Sequence, residues 1–205
     1  IAYRDKNFEK MKNLYIKFAP IFFFIAAYIA IFVSLQSSKI SMILGGSNYQ
    51  EAHFAVMVIA SYPIHQTLGR INGSYFLATN NTKLYSAIGI VFQVIGLMLI
   101  FFMIAPSNLY GLNLGSVGLA IKMVIIQILA INVEIFYISK SLKFSFSRIL
   151  KMQIIIVLFF LINSYCTLLI GNQLSNNIIV SFILSGFLYS IIAFTYIYLF
   201  PSIIN

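Results

Sequence analysis

Residues 62–74 read YPIHQTLGRINGS and interrupt an apolar run, with FAVMVIAS (54–61) before them and YFLAT (75–79) behind. The fold turns on what this stretch is. A surface helix of a soluble domain turns its polar residues to water. Polar residues in a membrane span have to meet other helices or a water-filled cavity instead. Composition decides between the two. Of 205 residues, 61% are hydrophobic and 8% charged, and the mean hydropathy is +0.97. A soluble domain carries about 25% charged residues, so this chain lacks the residues to cover a water-facing surface.

Apolar runs at 18–35, 54–77, 84–105, 116–139, 152–170 and 178–200 each approach the ~20 residues that cross a hydrocarbon core. Backbone groups in lipid must be satisfied within the segment, so the spans are helices. No alternating pattern suggests a barrel. The expectation is an all-α polytopic membrane protein with three parts: a basic, partly helical lead-in at 1–17, a six-helix lobe at 18–200 and a tail at 201–205. Pro20 is expected near the start of the first span, where a helix tolerates it best. The loop 36–53 contains an apolar patch, Ile40–Leu44, read as interfacial. The loop 140–151, with apolar residues between its charges, reads as an amphipathic segment on the membrane surface.

The formal charge of +9 suggests nucleic acid, but its distribution does not. Arg4, Lys6, Lys10, Lys12 and Lys17 precede the first span, Lys83 follows the second, and Lys140, Lys143, Arg148 and Lys151 separate the fourth from the fifth. The opposite loops hold only Lys39. This asymmetry puts both termini in the cytoplasm and removes the need for a nucleic-acid partner. Cys166 is the only cysteine, read as a small packing residue. His53 and His65 lack a ligand cluster, and Glu51 beside His53 does not make a zinc site. No nucleophile elbow, phosphate-binding glycine loop or paired acids occur. The expectation is no enzyme, no metal and no cofactor.

At about 100° per residue, Tyr62, His65, Gln66, Gly69, Arg70, Asn72 and Gly73 fall within one half-turn of the second span. Pro63 predicts a kink beside that polar face, and Gly69 with Gly73 allows another helix to approach closely. A central arginine costs about 2.5–3.5 kcal/mol to insert. Arg70 therefore either faces a cavity or an anion, or snorkels to the interface. His65 reads as a hydrogen-bonded interior residue, with a proton relay as the other reading. The fourth span adds Lys122, Gln127 and Glu134. Lys122 and Glu134 lie about 18 Å apart along the helix and cannot pair. Glu134 either pairs with a neighbouring cation or couples transport to an ion. Asn163, Ser164 and Thr167 read as interhelical hydrogen bonds, and the aromatic residues as lipid-facing bulk and interfacial anchors.

LGGSNYQEAHFAVMVIA (44–60) resembles a loop-to-helix pattern through Leu44, Gly45 or Gly46, Tyr49 and Ala52. ATNNTKLYSAIGI (78–90) adds Ala78 and Lys83, with asparagines where glycine is usual. LYGLNLGSVGLAIKMVI (109–125) adds Tyr110, Gly111, Gly115, Gly118 and Ala120, and KFAP adds Pro20. In this order the patterns resemble polysaccharide flippases of the Wzx type, exporters of O-antigen and exopolysaccharide in the superfamily of multidrug-and-toxin extruders (MATE-like). The resemblance covers most of residues 8–140. It implies that the chain is the C-terminal lobe of a two-lobed transporter whose N-terminal lobe is missing. It also implies a cavity whose cations face an anionic lipid-linked glycan, with Arg70 and Lys122 as counterparts.

The function expected is therefore transbilayer movement of a polyprenyl-diphosphate-linked oligosaccharide across a bacterial plasma membrane. Membrane lipids and a polysaccharide polymerase are the expected partners. Tyr62, His65, Gln66, Arg70, Lys122 and Gln127 are the candidates for lining the substrate path, and Glu134 for ion coupling. A cation-coupled drug extruder of the same superfamily and a membrane-embedded glycan polymerase are the alternatives. An extruder should place more acids in the cavity, and a polymerase should carry a larger catalytic outer loop.

Overall fold

The computed structural model describes residues 8–199. Arg4 and Lys6 of the lead-in, the last residue of the sixth span and the tail lie outside them. The described residues form helices α1 (Phe8–Leu35), α2 (Ser37–Gly45), α3 (His53–Ile59), α4 (Tyr62–Ala78), α5 (Thr82–Ile104), α6 (Gly115–Leu142), α7 (Phe146–Leu174) and α8 (Ile178–Leu199), with short 3-10 stretches at Ser47–Ala52 and Ser107–Leu109. The fold is an all-α polytopic membrane fold, and among the described residues there is no strand. Five helices, α1 and α5 to α8, are long and apolar enough to cross a membrane. The expected span at 54–77 is broken into α3 and α4, so five uninterrupted helices and this broken pair stand where six spans are expected.

The break has a local cause. Pro63 has no N–H, so the Ile59 carbonyl loses its helical donor. The bonds tighten around it: Ser61 N donates to Val58 O, and Ile64 N to Ser61 O, at 3.1 and 3.2 Å. The Met57 carbonyl, passed over by Ser61, accepts the Ser34 hydroxyl of α1 at 2.6 Å. The kink expected at Pro63 is therefore present, and a side chain from the neighbouring helix holds it.

Two expectations need correction. Pro20 is not near a helix start, because α1 begins at Phe8 and continues through it. The lead-in from residue 8 onward is thus the first part of the crossing helix. The segment 140–151 is not an amphipathic surface helix. α6 runs to Leu142, Lys143 ends it in the left-handed region at φ 55°, and α7 starts at Phe146. A turn this tight leaves no segment to lie on the membrane, and its apolar residues pack inward, with Leu142 and Ile149 buried. Among the described residues exposed aromatics outnumber buried ones, but Phe23, Phe24, Phe160 and Tyr189 are buried, and Phe24 meets Phe160 edge-on at 4.7 Å. They form the core shared by α1, α7 and α8.

α1 and α4 lie side by side at the centre. α6 packs on α4 and α5 on α6 along one flank, and α7 on α1 and α8 on α7 along the other. At one end of the bundle the Tyr15 ring stacks on Phe144 at 5.4 Å and Tyr75 Oη donates to Ser141 Oγ at 2.6 Å. The helix ends carrying Lys83, Lys140, Lys143, Arg148 and Lys151 gather there. At the other end Lys39 of α2 donates to Ser181 of α8 at 2.7 Å. The apolar patch expected at the interface forms part of α2, with Met42, Ile43 and Leu44 exposed. Cys166 is exposed on α7 rather than packed. Of the polar trio on α7, only Asn163 bonds across helices, to Tyr189 O at 3.2 Å. Thr167 bonds back to its own helix at the Asn163 carbonyl, and the buried Ser164 hydroxyl has no partner.

Candidate functional site: a polar cleft between α4, α5 and α6

α4 and α6 run in the same direction and pack closely because α4 lacks side chains where they meet. A Cβ built on Gly69 would stand 2.6 Å from Ile131 Cδ1. α5 packs along α6 and touches α4 near its start, where a Cβ on Gly73 would stand 3.1 Å from the Tyr85 hydroxyl, but farther along nothing lies within 4 Å of a Cβ built on Gly89. The result is a cleft of about 580 Å³ with α4 and α5 as walls and α6 as floor. Gln66, Arg70 and Ser74 come from α4, Tyr85 and Gln93 from α5, and Gln127 and Glu134 from α6. Three glutamines, a guanidinium, a phenol and a carboxyl thus stand among glycines and apolar side chains such as Leu77, Phe92 and Ile126. Polar groups at this depth of a bundle that crosses lipid face other helices or a water-filled cavity.

Arg70 is exposed to the open side of the cleft, whereas Glu134 is buried in the floor. Beneath Glu134 lies a closed network. Tyr15 Oη of α1 donates to Asn72 Oδ1 at 2.8 Å, and Asn72 Nδ2 donates to Glu134 Oε2 at 3.0 Å and to the Ile131 carbonyl at 3.4 Å. Three helices meet at this one amide. The partner of Glu134 is thus a neutral amide and not the neighbouring cation expected. A buried charge needs such a bond to be tolerated at all.

The sequence candidates separate into two groups. Gln66, Arg70, Gln127 and Glu134 converge on the cleft. Tyr62 sits one turn above Gln66 on the same strip of α4 and does not line the cleft. Lys122 stands on the α6 strip that leads through Ile126 and Ala130 to Glu134, also outside the lining. Its Nζ is 3.3 Å from a Cβ built on Gly96, so the missing side chain of Gly96 gives its ammonium end room against α5. His65 faces away from the cleft. Its ring meets Phe23 edge-on at 5.5 Å, and the Gln153 side chain lies close to it. It stands on the side of α4 that meets α1 and α7. The polar arc of α4 is therefore shared, one edge facing the protein interior and the other the cleft.

Sequence reasoning missed Tyr85, Gly89 and Gln93 on α5 and Asn72 as the hub below. The α5 residues carry a readable signal, since Tyr85, Gly89, Gln93 and Gly96 recur at helical spacing in an otherwise apolar span. The hub carries none, because Tyr15 and Glu134 are remote from Asn72 in sequence. Among the described residues, no cluster of histidine, cysteine, aspartate and glutamate could hold a metal ion. Compared with known proteins, the chain matches no family model, no curated protein and no solved structure.

Proposed function

We propose that the chain moves a lipid-linked oligosaccharide, carried on a polyprenyl diphosphate, across a bacterial plasma membrane, with both termini cytoplasmic. On this reading it is a transporter and not an enzyme, and a second six-helix lobe completes it. The supporting observation is the exposed guanidinium of Arg70 on the wall of a cleft furnished with Gln66, Gln93 and Gln127. Guanidinium holds a phosphate oxygen pair in a bidentate way that ammonium cannot reproduce. Neutral amides beside it suit a glycan, and the open side of the cleft leaves the lipid tail in the bilayer. Alternating access then follows from one lobe rocking against the other.

The test is complementation of glycan export with protein level checked in each variant. Arg70→Ala should lose export, Arg70→Lys should recover part of it, and Ile71→Ala should export normally. Snorkelling predicts a silent Arg70→Lys, because lysine reaches the interface equally well. Full export by Arg70→Ala would remove Arg70 from the substrate path.

A cation-coupled extruder is the second reading, favoured by Glu134, which presents a carboxyl to the cleft floor from a buried position. Under it, Glu134→Gln should abolish the dependence of transport on an imposed proton or sodium gradient while membrane insertion is kept. Gradient dependence unchanged in that variant returns Glu134 to the structural network.

A further inference from the structure

A second cavity lies on the opposite flank, between α1 and the start of α7, with a volume of about 480 Å³. Its lining is ordered along the helix axis. Ser145, Ser147, Arg148 and Lys151 stand at the mouth, and Met152, Ile155 and Ile156 follow within two turns, facing Ile16 and Pro20 of α1. Arg148 and Lys151 are three residues apart and share a helix face. Each stands one turn before an apolar residue of the groove, Arg148 before Met152 and Lys151 before Ile155. From Arg148 to Ile156 the helix rises about 12 Å. Among the described residues no acidic side chain lines the groove. The apolar end opens sideways, since Ile155 is 52% exposed on the face that meets hydrocarbon.

We propose that this groove binds an anionic glycerophospholipid of the bilayer, with its phosphodiester between Arg148 and Lys151 and an acyl chain along the seam of α1 and α7. The order of the lining is the order of the lipid: hydroxyls and cations at headgroup depth, then aliphatic side chains. Basic pockets between membrane helices recognise lipid phosphates in this way, and arginine supplies the bidentate contact. A free phosphate reaching the cations at the mouth would leave the aliphatic half of the cavity empty, whereas a lipid entering sideways from the bilayer fills both halves. The hydroxyls of Ser145 and Ser147, 2.9 Å apart, add donors for the phosphate oxygens. The site is independent of what the cleft of α4, α5 and α6 carries.

Native mass spectrometry of the purified chain, released from detergent, tests this. It should bind one dioleoyl phosphatidylglycerol roughly tenfold or more tightly than dioleoyl phosphatidylcholine, from the contribution of two surface cations. The pair Arg148→Gln and Lys151→Gln, both exposed and so tolerant of change, should erase that preference. Lys83→Gln with Lys140→Gln, at the same end of the bundle but outside the groove, should keep it. Ile155→Ser should weaken phosphatidylglycerol binding without restoring parity with phosphatidylcholine. The proposal is overturned by equal binding of the two lipids, or by an equal loss in the Lys83 and Lys140 pair, which would mean general surface attraction. Competition by inorganic phosphate as strong as that by phosphatidylglycerol would overturn it too, leaving an ion site without a lipid.

Discussion

Asn72 uses its amide on both sides, accepting from Tyr15 and donating to Glu134 and the Ile131 carbonyl. It is fully buried, so no water replaces what a mutation removes. Leaving a buried polar group unsatisfied costs about 1–3 kcal/mol, more when the group is charged. Asn72→Ala should therefore lower the thermal unfolding midpoint in detergent, and Tyr15→Phe by less, since it leaves the bond to Glu134 intact. If Asn72→Ala unfolds with the wild type, the network does not hold the helices together. The sequence shows Asn72 as one polar residue of an arc. Its role was not legible, because each of its partners lies on another helix and only the packing of α1, α4 and α6 brings them within reach. Arg70 and Gln66 were legible for the opposite reason: they share a strip of a single helix, where spacing alone sets their direction.

Within α4 the decisive feature is what is absent. Gly69 lets Ile131 lie against the helix backbone. A methyl group there would gain up to about 1 kcal/mol of helix propensity but would overpack the contact, a cost of about 1–3 kcal/mol. Overpacking should win, so Gly69→Ala should be destabilising. Adding Ile131→Val, which removes the colliding Cδ1, should recover stability. A double-mutant cycle checks this, with a coupling of about 0.5–3 kcal/mol expected for residues in contact; additive effects would mean that α6 shifts freely. The close approach was legible from Gly69 and Gly73, and the break in this span from Pro63. The element that the pattern misrepresents is 140–151, where alternating charge and apolarity read as one amphipathic segment. The left-handed Lys143 instead divides it between two long helices, and periodicity does not reveal a turn at a residue other than glycine.

Across the whole molecule, the basic helix ends lie together and Lys39 lies at the other end. The proposed orientation makes the first end cytoplasmic. Single cysteines at Ser47, Asn113 and Asn172, in a Cys166→Ser background, should react with an impermeant maleimide added outside the cell. One at Ser141 should react only after permeabilisation. External labelling of Ser141 would invert the arrangement. The all-α membrane fold was legible from composition and run length because lipid leaves the backbone no alternative to helices. The side-by-side order of helices was not legible, since lipid-facing and protein-facing residues are equally apolar.

The two ends of α5 bear on how the cleft can open. At its N-terminal end the short turn 79–81 ties it to α4, with Asn81 N donating to Phe76 O at 2.9 Å. At its C-terminal end the loop folds back, and Leu112, Asn113 and Leu114 donate to the carbonyls of Phe102, Ala105 and Met103. A Cβ on Gly111 would collide with the Ala105 carbonyl, so the fold-back tolerates no side chain there. α5 is thus a shutter hinged at the sill and at the lintel, and on opposite neighbours. Travel along its own length is forbidden without breaking one hinge. The cleft beside Arg70 therefore keeps its elevation along the bundle as long as both ties hold.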